Sequence, residues 1–131
     1  MRIAPELQDL VVAHARRDAP NECCGIVALR DGVATQVVAF DNLAASPFRF
    51  EIDGHALSHE LDRLEDDGQD FAIYHSHTRS DPYPSQTDLN FAANWPGVEW
   101  LIVGVAGGPD GPAVVRSFHI ADGAVTEAGV G

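Results

Sequence analysis

In the stretch YHSHTRSDPYPSQTD, Tyr74 to Asp88, two histidines stand two residues apart and an aspartate follows. Side chains of a strand alternate between its faces, so His75 and His77, at the end of an apolar run, point to the same side. Imidazole nitrogens and carboxylate oxygens are donors that zinc accepts. Two histidines and Asp88 leave the fourth tetrahedral position open, which is the arrangement of a catalytic rather than a structural site. Asp88 reaches the histidines if residues 78 to 84 fold back, and Pro82 and Pro84 stiffen that segment, so less entropy is lost when it closes. The same stretch carries a second pattern: Ser85-Gln86-Thr87-Asp88 is a capping box, with Ser85 at the N-cap of a short helix. A helix start would hold Asp88 rigidly, and its carboxylate is expected to serve either the cap or a metal, hardly both. A surface loop has no need of two histidines directly before such a cap.

Other chemistry-bearing residues are weaker candidates. His55 and His59 lie at i and i+4 on a predicted helix and form a rival pair, but no glutamate sits between them, and a solvated helix face explains them better. His14 and His119 read as structural or surface residues. Cys24, at a strand start, reads as a small buried side chain with no paired base nearby. Trp95 and Trp100 read as core or rim aromatics. Arg79 and Asp81, between the ligand candidates, are exposed charges that either touch a substrate or are simply solvated. The C-terminal AGVG is expected to fray.

These residues need a scaffold to hold them. Ile3, Leu7, Leu10, Val11 and His14 fall on one face at helical spacing, and Pro5 suits a first turn, so residues 4 to 17 are predicted helical. Cys24 to Leu29 and Val33 to Phe40 read as strands joined at Asp31-Gly32, a hairpin turn pair. A short strand is predicted at Phe48 to Ile52, then a helix over 53 to 67 that stops at Asp66-Asp67-Gly68. Phe71 to His75 reads as a buried strand, Ser85 to Ala93 as a short helix and Trp100 to Val105 as a central strand. Residues 107 to 112 form a loop. Ala113 to His119 and Ala124 to Glu127 make a last hairpin around Asp122-Gly123. The order predicts a mixed sheet with helices packed on it.

Composition bounds the function. The chain of 131 residues suits one domain with a core of its own. Its net charge is -12, and all eight basic residues are arginines. Phosphate-backbone binding needs a basic face, so nucleic acid is excluded as a partner, and the acidity reads first as solubility. The opening residues lack a basic start followed by an unbroken apolar run, and no window approaches the ~20 apolar residues of a membrane span. The two adjacent cysteines, Cys23 and Cys24, cannot easily bridge to each other and are expected to be reduced thiols, in keeping with a cytoplasmic protein.

The spacing His75-x-His77 followed by Ser85-x-x-Asp88 resembles the JAMM motif of the JAB1/MPN/Mov34 metalloproteases. That family also has a glutamate just after its first helix and before a strand, and Glu22 in PNECCGIVAL stands in that place. In element order the resemblance covers nearly the whole chain. It implies an α/β fold, a single-domain α-β-α sandwich over residues 1–131 with a curved mixed sheet. Within the family, VVAHARRDAPNECCGIVA, IYHSHTRSDPYPSQTD and SFHIADGAVTE are similar to bacterial hydrolases that act on a ubiquitin-like sulfur-carrier protein and release cysteine from its C-terminus. The resemblance implies Zn2+ on His75, His77 and Asp88, with Glu22 as the catalytic proton carrier and Ser85 as donor to the oxyanion. It also implies that the carrier's Gly-Gly tail lies extended beside a sheet edge, for which Phe48 to Ile52, behind Pro47, is the candidate. The long insertions with which eukaryotic deubiquitinating relatives grip ubiquitin chains are missing. A broader isopeptidase and a non-catalytic MPN scaffold are the alternatives; the scaffold type usually lacks the ligands that are intact here.

Overall fold

The computed structural model describes all of residues 1–131. In chain order the elements are α1 (Pro5–Asp18), β1 (Cys24–Arg30), β2 (Val33–Phe40), α2 (Gly54–Asp66), β3 (Asp70–His77), α3 (Gln86–Ala92), β4 (Glu99–Gly104), β5 (Val114–Ala121) and β6 (Ala124–Ala128). They form one six-stranded sheet in the order β2-β1-β3-β4-β5-β6. Only β3 and β4 run parallel, joined by the crossover that contains α3; every other neighbouring pair is antiparallel. The strands β1, β3 and β4 are buried along nearly their whole length, as expected of central strands covered on both faces. On one face Val11 and Ala15 of α1 cover Val27, Tyr74, Leu101 and Val103. On the other, Leu57 and Leu64 of α2 and Ala92 of α3 cover Ile26, Ile73, Trp100, Ile102 and Phe118. The mixed sheet between helices is the one expected.

Local chemistry accounts for the element ends. Pro5 opens α1, whose first turn carries Glu6 and whose last turn carries Arg16 and Arg17, each complementing the helix dipole. Asp53 caps α2 by accepting a bond from the His55 N–H. Both tight hairpins turn on Asp-Gly, with φ of 52° and 78° at Asp31 and Gly32, and 51° and 77° at Asp122 and Gly123. Positive φ at both central residues gives the turn whose twist matches that of the flanking strands.

Three expectations need correction. First, β3 extends two residues beyond His75. Ser76 and His77 pair with Val103 and Gly104 of β4, and the Ser76 hydroxyl accepts a 2.8 Å bond from the Cys23 N–H. Their polarity hid the end of the strand. Second, Phe48 to Ile52 is not a strand and is not a sheet edge. The Asn42 side chain takes the backbone groups a partner strand would have used: its carbonyl accepts from Ala44 N and Glu51 N at 3.0 Å each. Its amide donates to Arg49 O and to Glu22 O, also at 3.0 Å. The apolar alternation there instead reflects Phe50 entering the core. The sheet edges are β2 and β6. Third, the C-terminus does not fray. Gly131 O accepts from Ile3 N at 3.1 Å, Gly129 O accepts from the Met1 ammonium at 3.0 Å, and Val130 packs on the α1-side core. Pairing between chain ends leaves no trace in local composition.

Candidate metal centre

The centre forms where the end of β3 meets the start of α3. Strand alternation sends Tyr74 to the α1 face and His75 to the other, with His77 beside it. His75 Nε2 lies 3.1 Å from Asp88 Oδ1, His77 Nε2 lies 3.1 Å from Asp88 Oδ2, and the two Nε2 atoms are 3.2 Å apart. Ligands ~2.0–2.1 Å from a tetrahedral zinc would stand about 3.3 Å from one another. All three residues are buried.

The hydrogen-bonding pattern calls for a cation. His77 Nδ1 is 2.7 Å from the Asp81 carbonyl, which can only accept, so Nδ1 carries the proton. In the neutral ring Nε2 then has a bare lone pair, and it faces the lone pairs of Asp88. Burial opposes charge on His77, but Asp88 and the Asp81 carbonyl outweigh it and raise the pKa of the ring. Burial likewise works against the Asp88 carboxylate, yet His75, His77 and the Ser85 N–H together hold it far below the usual carboxylate range. A proton relieves one of these contacts, whereas a metal ion among the three donors relieves them all. The donor set therefore fits a divalent cation such as zinc.

Asp88 serves the helix cap, as its capping-box position predicts, and does so with only part of its carboxylate. Ser85 N donates to Asp88 Oδ2 at 2.9 Å, while Asp88 N donates to Ser85 Oγ at 3.2 Å. A carboxylate has two oxygens and about four acceptor sites, so Oδ1 stays free of the cap. Ser85 is exposed and its oxygen already accepts a bond, which leaves its O–H free to donate outward.

Glu22 approaches from the other side. Cys24 pairs with His75 in the antiparallel β1–β3 ladder, so the residue two places earlier falls beside His77 on the same face. Its backbone is clamped: Glu22 N donates to Ser46 O at 2.9 Å, and Glu22 O accepts from Asn42. Glu22 is 4% exposed and its Oε1 has no hydrogen-bond partner. Burial pushes the carboxyl pKa up to about 8, with His77 pulling down and Asp88 pushing up.

Supporting residues were less visible in the sequence. Phe50 stacks on the His75 ring at 4.8 Å and Trp100 meets its edge at 6.4 Å, so packing orients a ring whose Nδ1 has no partner. Gly104 lies against the loop before Ser85, since a Cβ there would come within 2.9 Å of Pro82 Cδ. Gly104→Ala is therefore expected to push Pro82 outward, take the Asp81 carbonyl off His77 Nδ1, and lower zinc affinity about 10- to 100-fold with the fold intact. Titration against a competing chelator measures this, and unchanged affinity would mean that Asp81 does not orient His77.

The remaining candidates stay outside the centre. His55 and His59 are exposed on α2 and gather no third ligand. His14 is buried on the opposite face, 2.7 Å from the Tyr74 hydroxyl and 3.1 Å from Asp18. Cys23 and Cys24 are free and fully buried, and burial pushes both thiols up to about 12, which leaves them poor nucleophiles. Trp100 lies in the core.

Residues 4–120 match the family model of prokaryotic homologs of the JAB domain. The chain belongs to that family. A CysO-cysteine peptidase of Mycobacterium tuberculosis is 35% identical over 128 residues, covering 95% of this chain and 86% of the relative. A desampylase of Haloferax volcanii is 36% identical over 119 residues, covering 85% and 82%. Among solved structures, that of a Desulfitobacterium hafniense protein superposes with a TM-score of 0.85 at 28% identity, covering 98% of this chain and 90% of the other. The protein is a hydrolase of the peptidase type. No helix is long and apolar enough to cross a membrane.

Proposed function

We propose that this chain, as one JAMM unit over residues 1–131, is a cytoplasmic zinc hydrolase that cuts the amide between the C-terminal glycine of a ubiquitin-like sulfur-carrier protein and an attached cysteine. The observation that carries the reading is the convergence of His75, His77 and Asp88, with the His77 tautomer set by Asp81 so that its lone pair points inward. Zinc, when bound, lowers the pKa of a water to ~7 and polarises a carbonyl. Glu22, buried with an unpartnered oxygen, accepts the proton of the attacking water and returns it to the leaving amine. Ser85, its oxygen engaged by Asp88 N, donates its hydroxyl proton to the oxyanion. The mycobacterial relative supports cysteine as the leaving group. The desampylase relative favours a second reading, a broader deconjugase that also cuts isopeptide bonds to lysine.

The deciding experiment incubates zinc-loaded protein with a carrier–cysteine adduct and with a carrier–lysine isopeptide, and identifies products by mass spectrometry. The first reading expects free cysteine and intact carrier from the first substrate, with the second cut poorly. Comparable cleavage of both establishes the broader deconjugase instead.

A further inference from the structure

A cavity of about 340 Å³ lies at the same end of the sheet as the metal centre, with Arg16, Pro20, Thr78, Arg79, Ala106 and Pro109 in its wall. Its charge is unusual for this molecule. The chain has 20 acidic and 8 basic residues, yet two arginines and no carboxylate line this cavity. Four other clefts each include at least one aspartate: Asp122, Asp31, Asp31 with Asp70, and Asp18 with Asp41. Arg17, Arg30, Arg63 and Arg116 are each paired with a carboxylate, whereas Arg16 and Arg79, like Arg2 and Arg49, are not. Arg16 donates one N–H to Gly111 O at 2.8 Å, which anchors it and leaves its other donors free. The guanidinium of Arg79 rests on a ring, 5.4 Å from the centroid of Phe48.

The cavity adjoins the chain segment that carries the metal centre, although none of the three donors lines it. Thr78 directly follows His77, and its hydroxyl donates to Pro20 O at 2.8 Å, tying the end of β3 to the segment that leads into Glu22. Arg79 is two residues beyond His77, so their Cα atoms are within ~7 Å. Phe48, under the guanidinium, is two residues from Phe50, which stacks on His75. Arg79 thus links the segment that carries His77 to the cavity wall, held by stacking and not by a charge it would have to give up.

We propose that Arg79, with Arg16 on the same cavity wall, forms a carboxylate subsite that holds the free α-carboxylate of the released amino acid. This rests on the reading that the site cuts an amide at the carrier's C-terminus. When the leaving group is a single amino acid, its carboxylate is two bonds from the scissile nitrogen, within reach of a flexible arginine at the rim. A lysine joined through its side chain presents only methylenes there. Arginine's planar fork takes a carboxylate through two parallel N–H···O bonds, and the acid-free lining of this cavity spares that carboxylate local repulsion. The subsite makes terminal amino-acid adducts the preferred substrates.

The test compares zinc-loaded full-length protein on carrier–cysteine, on the same adduct with its carboxylate converted to a carboxamide, and on a carrier–lysine isopeptide. The wild type is expected to favour carboxylate over carboxamide by on the order of 10- to 100-fold in kcat/KM. Arg79→Ala brings that ratio close to one, Arg79→Lys keeps part of it, and Arg30→Ala, which removes a charge elsewhere, keeps all of it. Because the readout is a ratio, it does not depend on how much enzyme folds. Equal wild-type rates on carboxylate and carboxamide, or an undiminished ratio in Arg79→Ala, overturn the subsite and leave the carrier reading standing. No cleavage of any adduct overturns both.

Discussion

Glu22→Gln is expected to leave the zinc content of the purified protein unchanged and to lower kcat on the carrier adduct by a factor on the order of 10² or more. Glutamine keeps the shape of the side chain and the backbone clamp from Ser46 and Asn42, so the site stays assembled. It cannot take up a proton. Equal loss of metal and turnover would make Glu22 a ligand or a structural residue. The same substitution has a second signature in metal-stripped protein. In the fold the Glu22 carboxyl pKa is pushed from 4.5 up to about 8, chiefly by burial. The carboxylate is therefore disfavoured in the folded state, and the native fold loses stability as pH rises from the unfolded value through the folded one. Glutamine removes that loss. Melting temperatures of metal-stripped wild type and Glu22→Gln should diverge in favour of the variant between pH 5 and pH 8. Parallel curves would show that the carboxyl is not burdened by burial.

Replacing His75 and His77 together by alanine is expected to reduce zinc from one ion per chain to almost none and to abolish activity. One remaining carboxylate, already shared with the Ser85 N–H, cannot hold the ion in place of three donors. Replacing His55 and His59 instead should leave metal and turnover as they were, since both are exposed and lack a third donor. Elemental analysis of the two double variants decides the matter, and zinc loss in the His55/His59 variant would place the metal on α2.

The parts of this protein that the sequence revealed are those governed by short-range rules. Two histidines at strand spacing and a serine three residues before an aspartate are local patterns. So are the Asp-Gly hairpins and the α1 periodicity, and all of them recur in the structure. What stayed hidden depends on partners distant in sequence. Nothing near Asn42 signals that its side chain would replace a strand pairing at Phe48 to Ile52 while also holding the Glu22 carbonyl. The packing of Pro82 on Gly104 and of Phe50 on His75 is likewise tertiary. By contrast, the capping role of Asp88 is local, and its second oxygen is turned toward His75.

The three donors belong to a single short stretch, 75 to 88, from the end of β3 into the crossover that leads to β4. Closing so small a loop removes little entropy from an unfolded chain, and the sheet with its two apolar faces does not depend on that closure. A metal held by these three residues would therefore be a local fastener and not a keystone. Chelation should loosen the segment from Thr78 to Asp88, seen as faster amide exchange there, while the strands on either side keep their protection. Under the proposed zinc reading the domain remains folded without its ion, and the supply of zinc would set its activity without setting its survival.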